Sequence, residues 1–431
     1  DKKWLVPHFE KMLYDQAMLS IAYTDAYLAT GKALYKNSFE EILTYVSKDM
    51  TSESGGFYSA EDADSEGKEG KFYLWTKDEI DKILSKGDAL LCSEIFNVKQ
   101  EGNFREGMLE KENILHIETG LEKFCTQFDI TKDELLSKMK GIRNKLYEHR
   151  LKRVPPFKDD KILTNWNGLM ITAFAKASRA ASSPEFLKIA QKAAEFILKK
   201  MTGENGLFHR YRIDAAINAN LTDYAFFING LIELYQSSFE TKYLKEALHL
   251  NKYLIEKFWD EKEGGFFLVA KDNTELFIND KDIYDGAMPS GNSIALLNLL
   301  KLAAITGNYN FAQKAETMLN TFSGIIQKQP SGFTQMLSAA VYSLYPSHEI
   351  IIVGEKDEPE VKKMLDGIWK KFLPNSVVIL LQEKQRKELI KLAPFTKIYE
   401  RLDNKPTAYV CTNHTCNLPL TEADKVFELL R

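Results

Sequence analysis

The sequence predicts a mainly α-helical protein whose helical hairpins close into an (α/α)6 toroid, followed by a small α/β module. Three observations predict it. Helical periods fill residues 1–345 in pairs, a glycine–aromatic turn recurs between the pairs, and short apolar strands replace this pattern after Pro346. The expected domains are 1–345, the toroid, and 346–431, the module.

Taken in order, Pro7 reads as the first residue of a helix, where its missing N–H costs nothing. Phe9, Met12, Leu13, Ala17, Leu19, Tyr23 and Tyr27 follow at helical spacing, which predicts a helix over 8–30. Similar periods predict helices near 37–51, 76–85, 132–150, 166–181, 184–201, 222–238, 241–259, 287–306, 308–328 and 334–345. The turns Gly55-Gly56-Phe57-Tyr58, Asn205-Gly206-Leu207-Phe208, Gly264-Gly265-Phe266-Phe267 and Ser331-Gly332-Phe333 each follow a helix. Gly206 and Gly265 are 59 residues apart, and Gly265 and Gly332 are 67 apart. The 150 residues between Gly56 and Gly206 hold two to three such periods with an insertion. Helical hairpins cannot bury both faces alone, so they stack. Helix-pair solenoids have shorter periods, about 34 to 47 residues, and lack the aromatic turn, so the closed ring is favoured over an open solenoid. After Pro346, strands are expected at 349–354, 376–381 and 408–411, with helices near 358–371 and 421–431.

The chain has 431 residues, 44% hydrophobic and 27% charged, with a net charge of −4. That balance carries no electrostatic footprint for nucleic acid. No apolar run reaches the roughly 20 residues that span a bilayer, and no signal-peptide pattern opens the chain. Neither a nucleic acid nor a membrane is an expected partner. Four cysteines are too few for a disulfide framework, which makes a reducing cytoplasm the expected compartment. The chain begins on Asp1 and runs almost directly into a helical pattern, which reads as the later part of a longer polypeptide.

Polar residues gather at four expected inner-helix starts: His8 to Lys11 with Asp15, Asp159 to Gly168, Leu221 to Tyr224, and Asp285 to Ser293. Inner helices of a toroid run in one direction, so these starts would share one rim. Asn165, Thr222, Asp223 and Asp285 also suit helix N-caps. The loop Ser59–Gly70 adds Glu61, Asp62 and Asp64. Its Asp62, Asp64, Glu66 and Gly67 imitate a calcium loop, but Tyr73 stands where the last carboxylate ligand belongs. Cys411 and Cys416 enclose His414, yet a structural zinc site needs four ligands and no second pair lies nearby; no metal or cofactor is expected. The candidate catalytic residues are His8, as base or orienting group, with the carboxylates Asp62, Asp64 and Asp223. Glu61, Asp160, Lys161, Trp166, Asn167, His209, Arg210, Tyr224, Asp285, Ser290 and Asn292 are the candidate ligand contacts, with Trp166 suited to stacking on a sugar face.

Six blocks carry a resemblance: WLVPHFEKMLYD, GGFYSAEDADSEGKEGKFYLW, DDKILTNWNGLM, LTDYAFF, DGAMPSGNS and AYVCTNHTC. In this order they resemble the family of spermatogenesis-associated protein 20, also described as YyaL-type thioredoxin-domain-containing proteins. The resemblance spans essentially the whole chain. It implies an upstream thioredoxin-like domain and a toroid, here lacking part of its first hairpin, similar to N-acylglucosamine 2-epimerases and six-hairpin glycosidases. Related epimerases work with histidines as acid and base, and related hydrolases with Asp or Glu pairs. The implied function is carbohydrate-active, a glycoside hydrolase or sugar epimerase acting on a sugar-like small molecule. The alternative is a non-catalytic toroid that binds a ligand or protein client for the thioredoxin-like domain.

Overall fold

A computed structural model describes residues 2, 5–104, 111–204, 206–273, 280–412 and 415–430. Trp4 of the opening block, Asn205 of the second glycine–aromatic turn, and His414 between the late cysteines lie outside these residues. The chain divides into two compact units. Unit 1 comprises Asp1–Met12 and Ala60–Asp159; unit 2 comprises Leu13–Ser59 and Asp160–Arg431.

In chain order, α1 (Leu13–Thr30) and α2 (Ala33–Asp49) open unit 2. The helices α3 (Lys77–Ile83), α4 (Lys86–Ile95), α5 (Leu121–Phe128) and α6 (Lys132–Arg150) belong to unit 1. Unit 2 resumes with α7 (Thr164–Ala180), α8 (Pro184–Lys200), α9 (Leu221–Ser238), α10 (Thr241–Phe258), α11 (Gly291–Thr306), α12 (Tyr309–Lys328) and α13 (Thr334–Leu344). It ends with α14 (Pro359–Trp369), α15 (Glu383–Leu392) and α16 (Ala423–Leu429).

In unit 2, α7 packs between α1 and α9, and α11 packs between α9 and α13. These are the inner helices. α2, α8, α10 and α12 each pack outside the helix they follow. The division follows from composition: α9 is buried on every side, whereas α8, α10 and α12 bury one stripe and expose charges on the other. This inner and outer alternation is the (α/α)6 toroid class expected from sequence. Among the described residues it presents four complete hairpins and the additional inner helix α13. The inner helices approach closely where side chains are smallest. A Cβ on Gly168 of α7 would lie 2.5 Å from the Phe226 backbone of α9.

The segment after Pro346 forms a sheet in which strand His348–Val353 pairs parallel with Ser376–Leu381 and antiparallel with Thr407–Thr412. α14 is the crossover between the parallel pair. Ile351, Val353, Val377 and Ile379 join the toroid core, while Ile350, Ile352, Val378 and Leu380 pack with α14 and α16. The strict alternation and burial on both faces explain the unbroken apolar runs. Cys411 and Cys416 are joined by a disulfide across the last pair of strands of this sheet.

Unit 1 has its own core, in which Trp75, Ile80, Leu91, Leu135 and Ile142 meet between α3, α4 and α6. Capping boxes, Thr76 with Glu79 and Thr131 with Glu134, start α3 and α6.

One element differs from expectation in a way that bears on a candidate residue. The helix predicted over 8–30 begins only at Leu13. Lys11 and Met12 instead pair as a strand with Glu61 and Ala60, which pair in turn with Lys158 and Asp159. Backbone pairing to a distant segment overrides the local helical period. His8 is therefore exposed, outside any helix, and not at a helix start.

Candidate functional site

The polar residues of unit 2 do meet along one rim. The Tyr14 ring at the start of α1 contacts Trp166 of α7, 5.0 Å between centroids. Asn165 Nδ2 at the start of α7 donates to Thr222 Oγ1 of α9 at 3.2 Å. Gly291 at the start of α11 sits against Leu221 and Thr222. Asp285 reaches the start of α13. Of the first expected start, His8 to Lys11 belong to unit 1 and Asp15 to α1 of unit 2.

Most of these polar groups are engaged by the fold. Asn167 Oδ1 accepts from Phe57 N at 2.8 Å, and its Nδ2 donates to Phe57 O and Leu163 O. Asn292 repeats the arrangement with Phe266 N at 2.8 Å, Phe266 O and Asp282 O. Each asparagine thus pins the aromatic residue of a Gly-Gly-Phe turn to the next inner helix of unit 2. Tyr224 serves a third turn, its hydroxyl accepting from Leu207 N at 2.8 Å. Asp285 accepts from Ser290, Gln335 and Met336 backbone N–H groups, and Ser290 caps α11 through Ser293. Asn167 and Asn292 are fully buried. Their donors and acceptors are matched to backbone that would otherwise be unsatisfied.

Asp223 combines such a role with a chemical one. Fully buried, it accepts from Asn165 N at 3.0 Å and Asn220 N at 2.9 Å, joining the starts of α7 and α9. Both carboxylate oxygens also face His209 Nδ1, at 2.9 and 3.0 Å. His209 lies on strand Gly206–Tyr211, held beside the rim by pairing with Ile162–Leu163. Its side chain stays 25% exposed. The hydrogen bond to Asp223 raises the imidazole pKa above its ordinary value, against the opposing effect of burial. With Nδ1–H directed at the carboxylate, Nε2 is the atom left to accept or deliver a proton.

The other candidates are placed as follows. Asp160 pairs with Arg212 at 2.7 Å, both about half exposed. Trp166 and Arg210 are half-buried, and Lys161 contributes its carbonyl to Ser59 Oγ at 2.6 Å. In unit 1, Asp62 and Asp64 are exposed, and Asp62 Oδ1 accepts from Asp64 N at 3.2 Å, a local turn. Glu61 is buried and pairs with Lys158 at 3.3 Å. Lys11 Nζ lies 3.3 Å from the Tyr73 ring centroid and donates to Phe9 O. Burial pulls the Lys11 ammonium down to about 8, against the pull of Glu61.

Sequence reasoning missed a second polar group, deeper in unit 2. A cavity of about 350 Å³ lies among the inner helices, bounded by α1, α7, α9, α11, α13, the end of α14 and the segment after it. Lys176 and Arg179 of α7, Glu233 of α9 and Lys301 of α11 line it. Glu233 is buried and ion-paired to both Arg179 and Lys301. Lys176 pairs with Asp25 at 2.8 Å. These neighbouring cations hold the Glu233 carboxyl far below its usual range despite the burial that opposes them. The available signal was the one charge, Glu233, within the mainly apolar stretch FFINGLIELYQSS of a helix buried on every side. Among the described residues no group of three or more His, Cys, Asp or Glu side chains is arranged to hold a metal ion, and no helix is long and apolar enough to cross a membrane.

No family model matches the chain. Spermatogenesis-associated protein 20 of Homo sapiens is 31% identical over 464 residues, covering 100% of this chain and 59% of that protein. The Mus musculus protein of the same name is 30% identical, covering 100% and 58%. A Caenorhabditis elegans protein described as uncharacterised is 31% identical, covering 99% and 62%. The chain thus spans about three fifths of the length of these relatives. Solved structures with similarity include a sugar epimerase from a ruminal bacterium, with TM-score 0.45, 11% identity, and coverage of 73% of this chain and 61% of that one. Cellobiose 2-epimerase from Bacillus thermoamylovorans has TM-score 0.37 and 10% identity, covering 92% and 79%.

Proposed function

The chain belongs to the family of spermatogenesis-associated protein 20, and for this member we propose a carbohydrate-active toroid in which His209, oriented by Asp223, moves protons on a sugar-like substrate at the inner-helix rim. The His209–Asp223 pair is the observation that carries the reading. A buried carboxylate on Nδ1 selects the tautomer whose Nε2 is an acceptor, and stabilises the imidazolium formed when Nε2 takes a proton. A base so placed suits abstraction of the proton next to the carbonyl of a ring-opened sugar. Returning that proton to the neighbouring carbon from the same face is isomerisation; epimerisation needs in addition a proton donor on the opposite face of the first carbon.

Glycoside hydrolysis requires two carboxylates with separate duties. In unit 2, Asp223 accepts two backbone N–H groups and His209, and Asp285 accepts three backbone N–H groups. Such engaged carboxylates are poor candidates for an acid and a nucleophile. The epimerase or isomerase branch is therefore preferred to the hydrolase.

The test is deuterium wash-in from D2O at the carbon next to the carbonyl, across a panel of reducing mono- and disaccharides, with products separated by chromatography. Exchange into at least one sugar is expected, falling by about 100-fold or more in His209→Gln. No exchange with any sugar, by this chain or a longer polypeptide containing it, sinks the proposal. Sugar binding without exchange would instead favour a non-catalytic binding toroid.

A further inference from the structure

We propose that the central cavity of unit 2 binds a small, sugar-sized ligand through an oxyanion, a carboxylate or a phosphate, received by Arg179, Lys301 and Tyr342. The proposal does not depend on His209 chemistry, because it rests on a different set of residues.

Charge is the first support. Asp25 neutralises Lys176, leaving Glu233 alone against both Arg179 and Lys301. Arg179 and Lys301 are each only 12% exposed, so two largely desolvated cations share the one carboxylate of Glu233, while the buried Glu349 acts on the Tyr342 hydroxyl. Two cations sharing one carboxylate keep hydrogen-bond donors for a further oxyanion. The planar guanidinium is suited to receive one, presenting parallel donors to a carboxylate or phosphate.

Unused donors are the second support. Arg179 spends Nη2 on Glu233, while its Nη1 is buried without a hydrogen-bond partner. The Tyr342 hydroxyl is likewise buried without one, on a residue that is 6% exposed. Both residues line the cavity. Buried donors are rarely left unmatched, and two bordering one cavity describe a site for an acceptor. The face of Trp369 steadies Arg179, whose guanidinium lies 4.8 Å from the ring centroid.

Size and access are the third. A volume of about 350 Å³ suits a monosaccharide-sized molecule. Thr172, Asn229 and Gln335 add neutral polar groups to the wall, and exposed Phe372 and Ser338 mark where the cavity reaches the surface. The anionic group would sit among the cations and the neutral remainder along this wall.

Isothermal titration of the full chain at low salt tests the proposal, with glucuronate, glucose 6-phosphate and inorganic phosphate as probes and glucose as the neutral control. At least one anion should bind about tenfold or more tightly than glucose, and Tyr342→Phe should weaken it about tenfold. Because that hydroxyl has no partner within the protein, Tyr342→Phe should melt no lower than the parent. Lys301→Gln provides a second loss of affinity, checked for folding by circular dichroism. Binding of glucuronate alone identifies a carboxylate ligand; binding of phosphate and glucose 6-phosphate identifies a phosphate. Anions binding no better than glucose, or binding equally to Tyr342→Phe and the parent, overturns the site. Loss of deuterium exchange in His209→Gln with unchanged anion affinity would separate the two proposals.

Discussion

Asp223 shows how one side chain serves both fold and chemistry. A carboxylate without a neighbour would not persist in so dry a place. Two backbone N–H groups and an imidazole allow it to remain there, and the same contacts set the behaviour of His209. Because the folded pKa of His209 is raised, protonation of its ring adds stability that is fully present below the unfolded value, near 6.5, and is lost as pH rises through the folded value. Denaturant titrations at several pH values should therefore show the stability advantage over His209→Gln shrinking as pH rises from about 6. A flat difference across that range would contradict the pairing. At this scale the sequence already pointed to both residues, Asp223 as a polar residue at an expected inner-helix start and His209 as a candidate ligand contact. Their direct contact, and the fourteen residues of hairpin and loop that bring it about, required the structure.

The unit repeated at the scale of elements is a glycine–aromatic turn pinned to the next inner helix. Asn167 and Asn292 perform it identically, although the chain spaces them differently from their turns. The turn repeat was legible because glycine and a large aromatic recur together. At Gly264 and Gly265 the backbone takes φ of +80° and +81°, which favours glycine at both. The asparagines were legible as polar residues at helix starts, but a cap and a ligand contact look alike in sequence. Replacing Asn292 by Ala orphans Phe266 N–H and two carbonyls, and should cost about 3 kcal/mol in denaturant unfolding. A loss below about 0.5 kcal/mol would show that the turn holds without its clamp. The early helix was misplaced by the reverse error. Phe9 and Met12 obey a helical period, yet Lys11 and Met12 are recruited by a strand beginning almost fifty residues later.

For the whole molecule, the main event is the excursion between Ser59 and Asp160. The spacing between glycine–aromatic turns indicated an insertion there, and the structure makes that stretch a compact unit with its own apolar core. The two ends of unit 2 at this junction lie side by side, since Ser59 Oγ donates to Lys161 O at 2.6 Å. A protein beginning at Leu13, with a short Gly-Ser linker replacing 60–159, should keep the helical circular dichroism of unit 2 and melt in one cooperative transition. Collapse into an aggregate or a broad transition would show that unit 2 needs the excursion to fold.

By itself the sequence determined the mainly α class, the hairpin repeat, the α/β strands after Pro346 and the polar composition of the rim, because periodicity, glycine placement and capping act over a few residues. Only the tertiary structure decided that His8 lies outside any helix, that Asn167 and Asn292 clamp turns, that Cys411 and Cys416 form a disulfide, and that Arg179, Glu233 and Lys301 meet around one cavity. Except for the disulfide, whose cysteines are 5 positions apart, the contacts among them join residues 26 to 110 positions apart. Which partners they find depends on burial and on satisfying every polar group at once, a condition that no local stretch of the chain contains.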